Sequence, residues 1–438
     1  MSRILVRELN DHVDQTITVS GWLHKKRLLG GLNFITLRDR SGVVQSLIKE
    51  KDEIEKLRGL QIGTVMSLTG KVISDERAPG GVELHDVTVE VQVPVTDEPP
   101  IEIDKPISHK SENLDTLFEY RVLNVRNLQE QKIFKIRASI LANIREYLTK
   151  NEFVEIQTPK LLAEATEGGA EVFKLDYFDK TATLAQSPQF YKQIMVGAYE
   201  RVFEIAAAYR AEPSATTRHM SEVMMLDIEM GFVSGHDEVL DTVGDMTINT
   251  LNRIYTDHAD DLKSLNAPEL KLPSDGKVPR FTIAKIHEMY ESATKNTVED
   301  KKDLTPDEEK WICEYARKEL GSDLVYATDF PLAAAKFYHK RNVENGTVYW
   351  GDLLFRGLEI ATVPLRENNY QKMVEQMKEA GLDVTHEGFK YYLQAFKYGL
   401  PEHGGCGFGV DRLVEKTIGL SNVKEATLFP RDINRLTP

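Results

Sequence analysis

Apolar and polar residues alternate in short runs over the first ninety-five residues of the chain. The alternating runs cover residues 16–22, 33–39, 42–48, 65–72 and 82–89. A period of two is typical of strands that bury one face, so the pattern predicts five strands, with a helix near residues 52–60. Five short strands favour a small closed barrel, although the pattern alone also fits another small β domain.

The pattern changes after the barrel. Residues 96–128 are rich in proline and charge and are predicted to form a hinge. Residues 129–150 carry apolar side chains at helical spacing, namely Ile133, Ile136, Ala138, Ile140, Leu141, Ile144 and Leu148. A strand is predicted at 152–156, and strands and helices then mix without βαβ alternation. We therefore expect an α+β domain with an antiparallel sheet over 129–438, with a helical insertion at 255–325.

Length and composition narrow the protein class. A chain of 438 residues is too long for one ordinary core, so two or three domains are expected. No run of eighteen apolar residues predicts a transmembrane helix, and the first residues lack the apolar core of a signal peptide. Cys313 and Cys406, the two cysteines, have no metal-ligand spacing and fit a reducing cytoplasm.

The charge is unevenly distributed along the chain. A net charge of −14 argues against a nucleic-acid partner, because phosphate contacts need Lys and Arg. A basic cluster nevertheless lies within the predicted barrel, formed by Lys25, Lys26, Arg27, Arg38 and Arg40. A local basic face on an acidic protein is compatible with binding a nucleic acid.

Two clusters carry the candidate chemistry. Residues 403–412 read His-Gly-Gly-Cys-Gly-Phe-Gly-Val-Asp-Arg. Glycines let a ligand approach the backbone closely, and Arg412 offers a planar, permanently charged fork for a phosphate. A glycine-rich turn alone is a weak signal. It gains weight from the upstream group Arg210, Glu212, Arg218 and His219, which is also suited to phosphate binding.

These clusters resemble the signature motifs of the class II aminoacyl-tRNA synthetases. Residues 209–219 resemble motif 2, residues 407–412 motif 3, and Thr158-Pro159 motif 1. Together with the runs 165–169, 186–193 and 428–436, the whole chain resembles the aspartyl-tRNA synthetases of the archaeal and eukaryotic type. The resemblance implies an OB-fold anticodon-binding barrel at 1–95, a hinge at 96–128 and a class II catalytic domain at 129–438. It also implies that the chain is complete at its C-terminus.

The resemblance implies an activity and a set of site residues. The enzyme would form aspartyl-adenylate from ATP with Mg²⁺ and transfer aspartate to tRNA, as a cytoplasmic homodimer. Catalysis would use Arg210, Glu212 and Arg412. ATP would be bound by Arg210, Glu212, Arg218, His219, Met220, Glu359, Gly409 and Arg412. Aspartate would be bound by Glu167, Gln189, Lys192, Arg210, Asp227, Thr362 and Arg366, and the metal by Glu359, Thr362 and Asp352.

The chain departs from the family after Glu359. Where the family reads Ile-Ser-Ser-Gly-Gly-Gln-Arg, this chain has 360–366 as Ile-Ala-Thr-Val-Pro-Leu-Arg, and Gly351 replaces a phenylalanine before Asp352. These changes are predicted to lie beside the amino-acid pocket. They leave ATP binding intact and open the alternative of a paralogue with altered amino-acid choice. A tRNA-binding protein without catalysis is the other alternative, which the presence of Arg210, Glu359 and Arg412 disfavours.

The barrel carries the predicted anticodon contacts, His24, Arg27, Phe34, Gln45 and Pro79. Phe34 would stack on a base, although a strand phenylalanine is equally often a core residue, and Gln45 would bind a base edge. Relatives that discriminate between tRNAs carry Trp and Lys where this chain has His24 and Pro79. The resemblance therefore implies an enzyme that charges both the aspartate and the asparagine tRNAs.

Overall fold

A computed structural model describes residues 3–29, 32–105, 113–163, 171–213 and 216–438. The chain divides into two compact units, Met1–Gln131 and Lys132–Pro438. None of the described helices is long and apolar enough to cross a membrane.

The first unit is built on a closed five-stranded barrel. Its elements are β1 (Thr16–Leu29), β2 (Leu32–Arg38), β3 (Val43–Ile48), α1 (Lys51–Arg58), β4 (Val65–Ser74) and β5 (Val82–Val93). The strands close in the order β1-β2-β3-β5-β4. Alternation along β2 decides which side chains face the core: Ile35 and Leu37 are buried in the barrel core, whereas the alternate residues Phe34 and Thr36 are only partly buried. The predicted barrel is confirmed.

Two short helices follow the barrel, α2 (Leu114–Glu119) and α3 (Arg121–Asn124). They are anchored by a buried ion pair, in which Arg121 Nη1 lies 2.9 Å from Glu130 Oε2. Asn127 donates to the backbone oxygen of Lys105 at 2.6 Å, so this part of the chain is packed rather than extended. Whether residues 96–128 act as a hinge stays a prediction.

The second unit is built on an eight-stranded sheet with the strand order β12-β13-β16-β17-β18-β11-β10-β6. The strands of this unit are β6 (Val154–Glu155), β7 (Leu161–Leu162), β8 (Lys174–Tyr177), β9 (Lys180–Leu184), β10 (Arg201–Tyr209), β11 (Glu222–Gly231), β12 (Arg280–Thr282), β13 (Leu324–Thr328), β14 (Arg341–Asn342), β15 (Thr347–Val348), β16 (Trp350–Phe355), β17 (Glu359–Pro364) and β18 (His403–Gly409). All pairings in the sheet are antiparallel except those of the edge strands β12 and β6. The predicted α+β class with an antiparallel sheet is confirmed.

The remaining helices are α4 (Leu128–Lys150), α5 (Gln189–Tyr199), α6 (His236–Asp257), α7 (Ala259–Ser264), α8 (Ile283–Thr294), α9 (Pro306–Glu319), α10 (Tyr370–Glu379), α11 (Lys390–Lys397) and α12 (Val410–Ile418). The apolar stripe of α4 and the inner face of α6 pack into the core with the sheet. The segment 255–325, predicted as a helical insertion, contains α7, α8 and α9. It also contains β12, whose three residues are too few for alternation to reveal.

Candidate active site

A cleft over strands β11, β16, β17 and β18 brings the arginine-rich and glycine-rich segments together. Most of the predicted site residues line it, namely Gln189, Lys192, Arg210, Glu212, Arg218, His219, Met220, Asp227, Glu359, Thr362, Arg366, Gly409 and Arg412. Asp352 is buried and is not among the lining residues, and Glu167 lies outside the described residues. Segments far apart in sequence therefore converge on one site.

One end of the cleft contains a fully buried cluster of two cations and two carboxylates. Lys192, in the first turn of α5, places Nζ 2.8 Å from Asp227 Oδ1, 2.8 Å from the backbone oxygen of Cys406 and 3.5 Å from Glu229 Oε2. Arg366 donates to both oxygens of Glu229, at 3.0 and 3.3 Å. Two buried cations next to each other are suited to binding a carboxylate, because each needs a paired negative charge.

Burial and ion pairing shift the pKa values of these two carboxylates in opposite directions. Burial raises the pKa of Asp227, and Lys192 offsets only part of that rise. Burial would also raise the pKa of Glu229, but Arg366 and Lys192 together bring it below its usual value. Glu229 is thus the carboxylate that holds the two cations together.

A buried hydrogen-bond network supports this cluster from the side of α11. Gln193 Oε1 accepts from Gln189 Nε2 at 2.8 Å and from the Tyr392 hydroxyl at 2.9 Å. Gln193 Nε2 donates to His403 Nε2 at 2.9 Å, so the proton of His403 lies on Nδ1 and is donated to the oxygen of Pro401 at 2.8 Å. Burial lowers the pKa of His403, which keeps the ring neutral. The network fixes Gln189, which lines the cleft.

The other end of the cleft carries the motif 2 side chains. Arg210 and Glu212 follow β10 directly, and both line the cleft. Arg218 donates to Oε2 of Glu309 at 3.0 Å, and Glu309 lies in the first turn of α9. His219 Nδ1 lies 2.8 Å from the Thr216 hydroxyl, which orients the ring. This end therefore presents several cations to a polyanionic ligand.

Arg412 and Glu359 connect the two ends. Arg412 Nη1 donates to the backbone oxygen of Glu359 at 2.8 Å and lies 3.2 Å from its Oε2. Asp411 anchors the helix that carries Arg412, because it accepts from the Met224 N–H and from Arg137 Nη2, both at 2.8 Å. Arg412 is thus fixed by backbone and side-chain contacts at the start of α12.

The two predicted metal carboxylates are close neighbours of Thr362. The Thr362 hydroxyl donates to Glu359 Oε1 at 2.8 Å, and Thr362 pairs directly with Asp352 across the strands. Burial and the charge of Glu359 raise the pKa of Asp352 well above its usual value. Burial would raise the pKa of Glu359 too, but Arg412, Thr362 and Arg210 lower it.

These residues fit a magnesium site that is completed by the ligand's own phosphates. Among the described residues, no three His, Cys, Asp or Glu side chains are grouped to hold a metal by themselves. Mg²⁺ in nucleotide sites usually takes only one or two carboxylates from the protein and the rest from phosphate and water. The mutual repulsion of Asp352 and Glu359 is the kind that a divalent cation relieves.

The glycines of β18 have different roles. A Cβ on Gly405 would overlap the backbone oxygen of Ile228, so Gly405 is required by strand packing. A Cβ on Gly407 would meet nothing closer than Met225 Cε at 3.6 Å, and Gly407 and Gly409 line the cleft. No atom of the described residues requires a glycine at position 407, so the backbone without a side chain leaves room for a ligand lying on the strand.

The comparison with known proteins decides the family. The pattern of the "tRNA synthetases class II (D, K and N)" matches residues 113–433. That of the "OB-fold nucleic acid binding domain" matches residues 17–95. The chain belongs to the class II tRNA synthetases. This membership confirms the predicted enzyme class and implies that ATP is a substrate.

Relatives of this synthetase are similar along their whole length. The aspartate–tRNA(Asp/Asn) ligase of Thermus thermophilus is 39% identical, with 100% of both chains covered. The aspartate–tRNA(Asp) ligase of Pyrococcus furiosus is 36% identical, covering 100% of this chain and 99% of that one. The crystal structure of asparaginyl-tRNA synthetase from Pyrococcus horikoshii complexed with asparaginyl-adenylate matches with a TM-score of 0.91 at 28% identity, covering 100% of both chains.

The departure from the synthetase family lies mostly in the core. Val363 and Leu365 are buried in the main core of the unit, and only Pro364 between them lines the cleft. Gly351 pairs with Val363 across the strands, and a Cβ there would approach Leu240 Cδ2 of α6 to 2.8 Å. The expectation that all these changes lie beside the pocket is therefore wrong, because strand alternation turns two of the three side chains towards α6.

The barrel of this synthetase places the predicted anticodon residues on its outer surface. Phe34 is half-buried and pairs with the exposed Arg27 across β1 and β2. Gln45 lies in a row with Lys25, Thr36 and Glu83 across four strands. Its amide donates to Glu83 Oε2 at 3.0 Å, which orients it.

His24 and Pro79 lie at two irregular points of the barrel. His24 occupies a β-bulge between Leu23 and Lys25, and burial together with the charge of Arg38 lowers its pKa. Pro79 is exposed at the start of a short 3-10 helix, Pro79–Gly81, between β4 and β5. The roles of all five barrel residues in binding stay predictions.

Sequence reasoning missed several side chains of the synthetase cleft. Lys336, Tyr338, His339 and Trp350 line it, and Glu309 holds Arg218. They come from the loop after β13, from the start of β16 and from α9, where no motif singles them out. Of these residues, only Glu309 could have been located from a sequence pattern. Thr305 and Glu308 form a capping box, which predicts the start of a helix and so places Glu309 in its first turn.

Proposed function

We propose that this synthetase ligates L-aspartate to tRNA through an aspartyl-adenylate. The observation that carries the proposal is the buried cluster in which Lys192 and Arg366 share Glu229 at the amino-acid end of the cleft. A substrate whose side chain ends in a carboxylate would add a further anion beside these two cations, which are paired with Asp227 and Glu229 in the empty site. The names of the relatives at 36–39% identity agree with that choice.

The first step is an in-line displacement at the α-phosphorus of ATP. An oxygen of the aspartate α-carboxylate forms the new P–O bond, the bond to the β-phosphate breaks, and pyrophosphate leaves. Arg210 would stabilise the charge that develops on the α-phosphate, and Arg218 and His219 would hold the β- and γ-phosphates. Glu359, Asp352 and Thr362 would hold Mg²⁺, which neutralises phosphate charge. The ribose hydroxyl of tRNA then attacks the activated carbonyl, and AMP leaves.

Aspartate is favoured over asparagine by charge. Lys192 and Arg366 are 1% and 2% exposed, so their charges are felt by neighbouring groups with little screening by water. An asparagine amide brings no negative charge to them, and it presents hydrogen atoms where the cations need an acceptor. Gln189 and Asp227 would surround the α-amino group.

We further propose that the enzyme charges both the aspartate and the asparagine tRNAs. His24 and Pro79 stand where discriminating relatives carry Trp and Lys, and specificity often depends on such a repulsive element. The name of the Thermus relative, a ligase for tRNA(Asp/Asn), agrees with this choice. A cytoplasmic location remains a prediction from the two cysteines, both of which are buried and unpaired.

A homodimer is also proposed. The edge strand β6 exposes both of its residues, and two apolar side chains, Val154 in β6 and Leu161 in β7, are 40% and 48% exposed. This region adjoins Thr158-Pro159 of motif 1. A C₂ dimer would bury such a patch against its own copy.

The proposed activity is tested by ATP–pyrophosphate exchange with aspartate, with asparagine and without amino acid. Exchange that depends on aspartate is expected, and Arg210→Ala should lower it a hundred- to a thousandfold, as loss of one transition-state donor typically does. Exchange with asparagine instead would support the paralogue with altered choice. Arg210→Ala activity within about fivefold of the wild type would refute the assigned role of this arginine.

A further inference from the structure

The cleft wall beside the predicted metal carboxylates contains an indole that no motif predicts. Trp350 opens β16 and lies two residues before Asp352, so both side chains are on one face of the strand. The indole Nε1–H donates to Asp352 Oδ1 at 2.7 Å. Its ring stacks on Phe330, with centroids 4.1 Å apart and planes 12° apart, and lies 5.3 Å from His339. The donor is thus fixed by packing.

The orientation of the Asp352 carboxylate depends on the hydrogen bond from this indole N–H. Its side chain is 7% exposed, and a buried carboxylate needs hydrogen-bond donors to keep its orientation. The Thr362 hydroxyl also lies within reach of Asp352, but its single hydrogen can be donated to only one carboxylate at a time, and it lies 2.8 Å from Glu359 Oε1. The indole N–H, in contrast, is donated to Asp352.

The strand cannot supply the same support from another position. Residue 351 is a glycine whose Cβ would approach Leu240 to 2.8 Å, so no donor side chain fits there. Trp350 faces Pro364 across the strands, and proline has no N–H to offer the site. Support for Asp352 from this edge of the cleft therefore comes from the indole.

We propose that Trp350 is a positioning residue for the metal site of this enzyme. Its N–H fixes the carboxylate of Asp352 next to Thr362 and Glu359, so that the two carboxylates are held in place before the metal arrives. Partners of this kind, which orient a ligand rather than bind the metal, typically change metal affinity by ten- to a hundredfold. The inference rests on the proposed function for the identity of the ion, Mg²⁺ with ATP.

The test measures metal binding directly, on the full-length protein. Free Mn²⁺ is followed by electron paramagnetic resonance during titration in the presence of a non-hydrolysable ATP analogue. Trp350→Phe removes the N–H. Replacement of Trp350 by benzothienylalanine, in which sulfur takes the place of the N–H, retains the shape of the ring. Trp311→Phe is the matched control, because Trp311 stacks on Tyr315 in α9 and does not line the cleft.

We expect both replacements at 350 to weaken Mn²⁺ binding at least tenfold, and Trp311→Phe to stay within twofold of the wild type. Binding of the analogue without metal should be unchanged in all of them. Wild-type or tighter Mn²⁺ affinity in the benzothienylalanine protein would overturn the proposal, even if Trp350→Phe fails to fold.

The two proposals fail separately. A wild-type protein without aspartate-dependent pyrophosphate exchange would refute the proposed function. A wild type with that exchange, combined with unchanged Mn²⁺ binding in the benzothienylalanine protein, would refute the role of Trp350 alone.

Discussion

Replacing Lys192 by methionine should destabilise the catalytic unit as well as abolish aspartate binding. Lys192 is 1% exposed and lies 2.8 Å from Asp227, 3.5 Å from Glu229 and 2.8 Å from the oxygen of Cys406. Arg366 still pairs with Glu229 in the variant, but Asp227 loses its cation. Breaking a buried pair in this way costs about 3–5 kcal/mol.

The assay is thermal unfolding followed by far-ultraviolet circular dichroism, with urea unfolding as a second measurement. With an unfolding entropy of about 2.1 cal/mol/K per residue, 1 kcal/mol shifts the midpoint of the unit Lys132–Pro438 by roughly 1.5 °C, so Lys192→Met should lower its transition by about 5 °C or more. The matched control is Lys150→Met. Lys150 is 71% exposed and pairs with Glu146 on the surface, so its removal should cost less than about 1 kcal/mol.

The double variant Lys192→Met with Asp227→Asn measures the coupling free energy of the Lys192–Asp227 ion pair. Because it removes both charges, it should be destabilised by less than the sum of the two single variants, with a coupling of about 1–3 kcal/mol. A Lys192→Met protein that melts within about 2 °C of the wild type, or additive single effects, would refute the claim that a desolvated ion pair holds this end of the cleft.

Three further predictions concern other parts of the protein. Tyr392→Phe removes one hydrogen bond to Gln193 and should raise the KM for aspartate by roughly three- to tenfold, with the KM for ATP unchanged. Equal changes in the two KM values would contradict this prediction. Wild-type enzyme should aminoacylate both tRNAs within about tenfold, and His24→Trp with Pro79→Lys should raise the preference for tRNA(Asp); a wild-type preference above about a hundredfold would contradict this. Light scattering should give twice the chain mass of 49.7 kDa, and Val154→Asp should lower it to that value.

The parts of the site that could be predicted are those whose chemistry dictates residue type and spacing. Arg210 and Glu212, or Gly409 and Arg412, are close in sequence, so a short pattern contains their whole geometry. The Arg218–Glu309 contact spans 91 residues, and the Tyr392–Gln193 contact spans 199. Such contacts depend on how helices pack against the sheet, which no local spacing encodes. The strands of the barrel were predictable for the same reason as the motifs, since alternation along each strand is a local pattern that specifies its buried face. Their closure into an OB-type barrel was implied by the resemblance.

The charge balance of the buried cluster explains how one site can be stable when empty and selective when filled. Lys192 and Arg366 are paired with Asp227 and Glu229, so this buried cluster holds as many carboxylates as cations before substrate arrives. Arg366 donates through Nε and Nη2 to Glu229, whereas Lys192 divides its contacts between the two carboxylates and a backbone oxygen. Aspartate carries two carboxylates and one ammonium group, so it brings a net negative charge. We expect Lys192 and Arg366 to attract that charge. Asparagine has no net charge and so gains no added attraction to the two cations, and selection would follow from that difference.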